Sequence, residues 1–310
     1  MKYPQLPNKS ECIWAGILIL LYLTATGLFV GLRGDHFLIT GVFLALFLWS
    51  RESRKLAVAL LPFIVFAISY DWMRICPNYE VNPIDIRGLY ETEKECFGVW
   101  SEGTRITLCE YFSTHHHAVA DLLAGFFYLC WVPVPIAFGI GLYFKQHRKL
   151  YLHFSLVFLL VNLLGFAGYY IHPAAPPWYV MEYGFEPIMN TPGHVGGLGR
   201  FDQLVGLPIF ESIYGRNSNV FAALPSLHSA YMVVTLYYAL KGHCPVWLCS
   251  CFAVIMVGIW GTAIYSGHHY VIDVLLGIGC ALLGILLFEK MFLHSKRFRN
   301  FLQHYHTYIK

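Results

Sequence analysis

The sequence predicts an all-α, polytopic membrane protein, and three observations carry that prediction. Of 310 residues, 57% are hydrophobic. Only 13% are charged, where a soluble globular chain usually carries about 25%. The apolar residues fall in long runs separated by basic or Gly/Pro-rich stretches. This composition, with a mean hydropathy of +0.54, excludes a disordered chain, a nucleic-acid module and an ordinary soluble enzyme. A net charge of +3 gives no field for capturing a polyanion, so no nucleic-acid partner is expected.

The runs cover 12–32, 37–49, 56–70, 118–144, 150–171, 226–240, 245–265 and 270–289. A spanning helix needs about 20 apolar residues, so the second and third runs are short for the task. The first run is too long for a signal-peptide core and no small-residue cleavage site follows it, so it is read as retained. Arg51, Arg54 and Lys55 share one connection, and Lys145, Arg148 and Lys149 another. Lys241 sits in a third, and Lys290, Lys296, Arg297 and Arg299 follow the last run. With about eight spans, all of these fall on one side together with Lys2 and Lys9, and the positive-inside rule makes that side cytoplasmic. Both termini are then cytoplasmic, and the long loops 71–117 and 172–224 face outward. The organisation read from this is N-terminal transmembrane helices over 1–55 and a core over 56–290 that includes both outer loops. A basic tail, 291–310, lies on the anionic inner leaflet. The short termini fit a compact bacterial enzyme of the inner membrane. Cys76, Cys96 and Cys109 lie in the first outer loop, where one disulfide can form; their spacing matches no metal site.

Three polar clusters stand at the outer ends of the runs. They are His172-Pro173-Ala174-Ala175-Pro176-Pro177-Trp178, Pro225-Ser226-Leu227-His228 and His268-His269-Tyr270-Val271-Ile272-Asp273. On this topology all three meet one membrane surface. His269 and Asp273 are four apart, so on a helix the carboxylate reaches the imidazole. Such a partner fixes the tautomer and leaves the other ring nitrogen free to attack. A structural ion pair is the competing reading, and an Asp inside an apolar run is costly enough to favour function. Ser226 can cap a helix whose free N–H groups favour an anion, which places a phosphate beside His228. One His held by an acid and a second at an anion-binding helix start suit phosphoryl transfer.

These residues resemble the type 2 phosphatidic acid phosphatase superfamily. Pro225-Ser226-Leu227-His228 looks like its second motif and His269-xxx-Asp273 like its third. The resemblance implies a six-helix membrane core with about two extra N-terminal transmembrane helices, and no cofactor or metal. It implies that His269 is the nucleophile and forms a phospho-histidine. Asp273 would orient it, and His228 would protonate the leaving group and then act as base. Two departures stand out. The third motif usually carries Ser-Arg seven and six residues before the His, where this chain has Thr262 and Ala263. The first motif usually has Lys, six residues, then Arg-Pro, where this chain has Gly165 and His172-Pro173. A dianionic monoester wants several cations, and a singly charged diester fewer.

The same departures resemble the inositol phosphorylceramide synthase branch. It shares the 172–178 stretch, Gly197-Leu198-Gly199-Arg200-Phe201-Asp202, Pro225 to His228, and 268–273. The resemblance implies transfer of a phosphoinositol-type headgroup from phosphatidylinositol to ceramide, with diacylglycerol released. The alternative is a lipid phosphatase with water as acceptor. A channel or transporter is disfavoured, because no broken helices in matched halves are visible. Arg200, His172, Asp121 and Ser226 are the candidate substrate-binding residues: Arg200 for the phosphate or headgroup, His172 in place of the lost Arg, and Asp121 for a polyol. His268 is expected to face away from His269 and to be secondary. His115–His117 read as interfacial more readily than as metal ligands.

Overall fold

The computed structural model describes residues 7–215 and 219–310; Lys2 lies outside them. The chain is helical almost throughout. The first run forms α1 (Lys9–Phe29), whose Asn8 cap exchanges hydrogen bonds with Glu11. The second forms α2 (Gly34–Trp49). The third run splits into α3 (Arg51–Ala59) and α4 (Leu61–Trp72), bent by 45°, with Pro62 in the first turn of α4 where no N–H is needed. The first outer loop holds α5 (Arg87–Phe97), an antiparallel hairpin of β1 (Val99–Ser101) and β2 (Thr104–Ile106), and α6 (Leu108–Thr114). The fourth run splits into α7 (Ala118–Leu129) and α8 (Pro133–Phe144), bent by 41°. Pro133 and Pro135 have no N–H to continue one helix through that point.

Next come α9 (Arg148–Ile171), and in the second outer loop α10 (Pro177–Tyr183), α11 (Gly199–Val205) and α12 (Ile209–Tyr214). The bundle is completed by α13 (Leu227–Lys241), α14 (Val246–Tyr265) and α15 (Val271–Leu286), and α16 (Lys296–Ile309) closes the chain. By length and composition, α1, α9, α14 and α15 with its extension to His294 are candidate membrane spans among the described residues, and counting each bent pair as one span brings the candidates to as many as six. Where the sequence predicts eight, α2 (16 residues) and α13 (15 residues) fall short. α13 is the innermost helix, packed between α9, α14 and α15 with Ala230, Met232, Val234 and Tyr238 fully buried. Around it, Phe158 and Tyr231 rings stand 4.6 Å apart and Phe63 and Phe158 5.4 Å apart. α1 turns Leu18, Leu20, Leu21 and Leu28 outward, as a lipid-facing helix does.

Both outer loops are folded and tied together. Asp85 donates its N–H to the Pro173 carbonyl (2.7 Å), Ala175 to Asp85 (3.1 Å) and Ala174 to Phe221 (3.0 Å). The His172–Trp178 stretch is thus held between two extended segments. The disulfide that loop 71–117 allows is not formed: Cys76, Cys96 and Cys109 are all free, and Cys109 is buried. At the opposite end, α16 is amphipathic and buries Leu302 and Ile309 while Tyr305 donates to the Val58 carbonyl (2.7 Å).

Candidate active site

Two helix starts build the centre. Ser226 caps α13, and its own N–H donates to the Asp273 carbonyl (2.9 Å). The Ser229 hydroxyl lies 3.0 Å from the Val274 carbonyl. The helices meet at Gly277, where an added Cβ would stand 2.0 Å from the Ser226 carbonyl oxygen. This contact sets His228, on the first turn of α13, against His269, just before α15. His228 Nδ1 and His269 Nε2 are 3.0 Å apart. The His228 ring lies against Tyr128 (centroids 5.0 Å, planes 16° apart) and Trp131 (4.4 Å).

Asp273 stands behind the pair. Its Oδ2 is 3.6 Å from His269 Nδ1 and accepts the Tyr270 N–H at 2.8 Å. The first distance is longer than a direct hydrogen bond. Asp273 is fully buried, and its Oδ1 has no partner. A carboxylate beside Nδ1 favours the tautomer with the proton there and a lone pair on Nε2. The contact at Nε2 is then donated by His228 Nδ1–H.

A residue that the motifs do not announce completes the mount. Glu93 of α5, fully buried, accepts the N–H groups of Val271 (2.9 Å) and Ile272 (3.1 Å). Burial raises its carboxyl above the ordinary value, while the two N–H bonds oppose that rise. A carboxylate from another element therefore caps α15 next to the turn that holds His269. Cys109 Sγ adds a contact to the His269 carbonyl (3.4 Å). Glu93→Ala leaves two buried N–H groups without an acceptor. It is expected to lower stability by about 2–3 kcal/mol in denaturant titrations of the detergent-solubilised protein, with Glu93→Gln falling between it and wild type.

His228, His269 and His268 line one cavity of about 310 Å³, with Phe66, Tyr70, Trp131, Phe166, Leu227 and Tyr231 among its apolar walls. His268 does not face away. Residues 266–270 are not helical, so the angular step of a helix does not separate the two neighbours. The other expected binding residues stand elsewhere. Ser226 is buried as the cap and is not part of the cavity wall. His172 is half exposed and pairs with Asp85 (3.0 Å). Arg200 and Asp121 pair with each other at 2.6 Å, and Tyr265 donates to the same carboxylate at 2.9 Å. Arg200 lines an adjoining outer cavity of about 740 Å³ that shares Trp178 with the first. His116 approaches Asp121 (3.6 Å), while His117 caps α7. Among the described residues, no three His, Cys, Asp or Glu side chains gather as a metal site.

The two departures from the phosphatase pattern have physical causes. A Cβ on Gly165 would meet Leu227 at 2.5 Å, so α9 and α13 touch where a Lys would stand. Ala263 is fully buried, and its carbonyl accepts the N–H groups of both His268 and His269 (3.0 Å each).

The sequence profile of the PAP2 superfamily matches residues 103–287. A phosphoinositol dihydroceramide synthase of Bacteroides thetaiotaomicron is 63% identical over 305 residues, 98% of this chain and all of that protein. An inositol phosphorylceramide synthase of Candida albicans is 35% identical over 141 residues, 44% of this chain and 28% of its own. The inositol phosphorylceramide synthase catalytic subunit AUR1 of Saccharomyces cerevisiae is 33% identical over 119 residues, 38% of this chain and 29% of its own. No solved structure matches the chain.

Proposed function

From a chain that belongs to the PAP2 superfamily, and to its inositol phosphorylceramide synthase-like branch, we propose that it moves phosphoinositol from an inositol phospholipid to ceramide or dihydroceramide. The observation that carries this is similarity over the whole length to a phosphoinositol dihydroceramide synthase, joined to the His228–His269–Asp273 arrangement. His269 Nε2 attacks the phosphorus of the donor diester. The bond to the diacylglycerol oxygen breaks, and His228, which enters this step as an imidazolium with a proton on each ring nitrogen, gives up its Nδ1 proton and is left a neutral imidazole. Phosphoinositol now rests on His269, whose Nδ1 proton faces Asp273. The primary hydroxyl of ceramide enters, gives its proton to His228 and attacks phosphorus. The P–N bond breaks, and both histidines return to their starting forms.

Tyr128 and Trp131 against His228 and the apolar cavity walls support exclusion of water, which favours a lipid acceptor. The described residues lining the cavity include no Lys or Arg, which suits one negative charge better than two. A phosphatase is accordingly not favoured.

The site belongs on the extracytoplasmic face. The helices α9, α13 and α15 each carry bases at the end away from the motifs: Arg148 and Lys149, Lys241, and Lys290. The positive-inside rule puts that end, with both termini, in the cytoplasm of a bacterial membrane.

The purified protein in mixed micelles with labelled phosphatidylinositol and ceramide is expected to yield a phosphosphingolipid and an equal amount of diacylglycerol. Free inositol phosphate or inorganic phosphate formed at the same rate without ceramide would overturn transfer.

A further inference from the structure

His268 is 4% exposed and lines the cavity that holds His228 and His269. Its protonation follows from its neighbours. The Ser266 hydroxyl lies 2.7 Å from the Thr262 carbonyl and 2.9 Å from His268 Nδ1. A carbonyl oxygen has no hydrogen, so the single Ser266 proton goes to Thr262. Ser266 Oγ can then only accept from His268, which fixes the ring proton on Nδ1. Nε2 is left as a lone pair, buried and without a partner. The ring is wedged between Tyr214 (4.4 Å) and Tyr128 (5.6 Å), so it cannot turn freely to exchange its edges. Burial pushes His268 down to about 3, which keeps it neutral at working pH.

A neutral acceptor buried beside a phosphoryl-transfer centre repels a phosphate oxygen and attracts a hydroxyl. A group that holds a proton so weakly is also a poor general base. We propose that His268 Nε2 is a substrate-positioning site that accepts a hydrogen bond from a non-reacting substrate hydroxyl. Such hydroxyls come from two sources, the inositol ring of the donor and the 3-hydroxyl of the sphingoid acceptor. The inference rests on the transfer reading above.

The test is a cycle with purified wild type, His268→Ala and His268→Gln. Each is assayed with the natural pair, with a 3-deoxyceramide acceptor, and with phosphatidylinositols lacking single ring hydroxyls. His268→Ala is expected to lower kcat/KM for the natural pair about 10–30-fold, the worth of one buried hydrogen bond. His268→Gln, which offers an amide oxygen near the same place, is expected to recover most of it. In one arm the deoxy substrate costs wild type a similar factor and costs His268→Ala nothing further, and that arm names the hydroxyl. Losses that multiply independently in every arm overturn the proposal. So does a Gln variant as poor as Ala when both keep the wild-type melting temperature. If wild type hydrolyses the donor without transferring it, the transfer reading fails, and the donor arm still reports whether an inositol hydroxyl couples to His268.

Discussion

His269→Gln is expected to lower headgroup transfer by on the order of 10⁴-fold, because it removes the lone pair that the proposed mechanism uses to form a bond to phosphorus. The measurement is formation of labelled phosphosphingolipid in micelles, with the melting temperature as a control. The fold is expected to survive, since Gln fills a similar volume and its amide oxygen can accept from His228 Nδ1. Protein quenched during turnover in denaturing detergent at neutral pH sharpens the result, since a P–N bond to histidine does not survive acid. Wild type should retain label from the inositol phospholipid as an alkali-stable phosphoramidate, and the Gln variant should retain none. A Gln variant with a tenth of wild-type activity would remove His269 from the chemistry.

The second large effect comes from a residue that touches no substrate. Gly277→Ala puts a methyl 2.0 Å from the Ser226 carbonyl and 2.2 Å from the Ser229 hydroxyl. The first is backbone at a helix start and cannot swing aside. α13 and α15 must separate, which is expected to cost about 3 kcal/mol of stability. The same separation pulls His228 from His269, and a displacement near 1 Å at such a pair lowers the rate about 100-fold. Denaturation midpoint and kcat are both read, and they should fall together. Unchanged kcat in a destabilised protein would show that the histidine spacing is not set by this contact.

Much of this was legible in the sequence because each signal was local. Long apolar runs gave the helices, although the break at Pro133 and Pro135 in the fourth was not read from them. Ser226, His228, His269 and Asp273 sit within short motifs at helix starts, so their placement follows from chain connectivity. What was not legible has two causes, contact between distant segments and helical spacing assumed where there is no helix. Glu93 caps a helix 178 positions away and carries no motif. The pairing of Arg200 with Asp121, 79 positions apart, likewise left no local signal. His268 was misplaced by helical arithmetic applied to a turn that is not helical. The four-residue spacing of His269 and Asp273 suggested one helical face, although His269 precedes the helix and Asp273 folds back onto the Tyr270 N–H.

Ala174 bridges Asp85 on one side and Ala222 on the other. Those three positions belong to the two outer loops, and Glu93 and His172 hang from the same junction. Neither loop can be replaced as a module. A chimera that takes 71–117 from a relative and keeps 172–224 would inherit half a joint, and the mismatch would be felt at the Glu93 cap of the helix that follows His269. Exchanges of specificity between members of this branch should therefore succeed only when the two loops travel together.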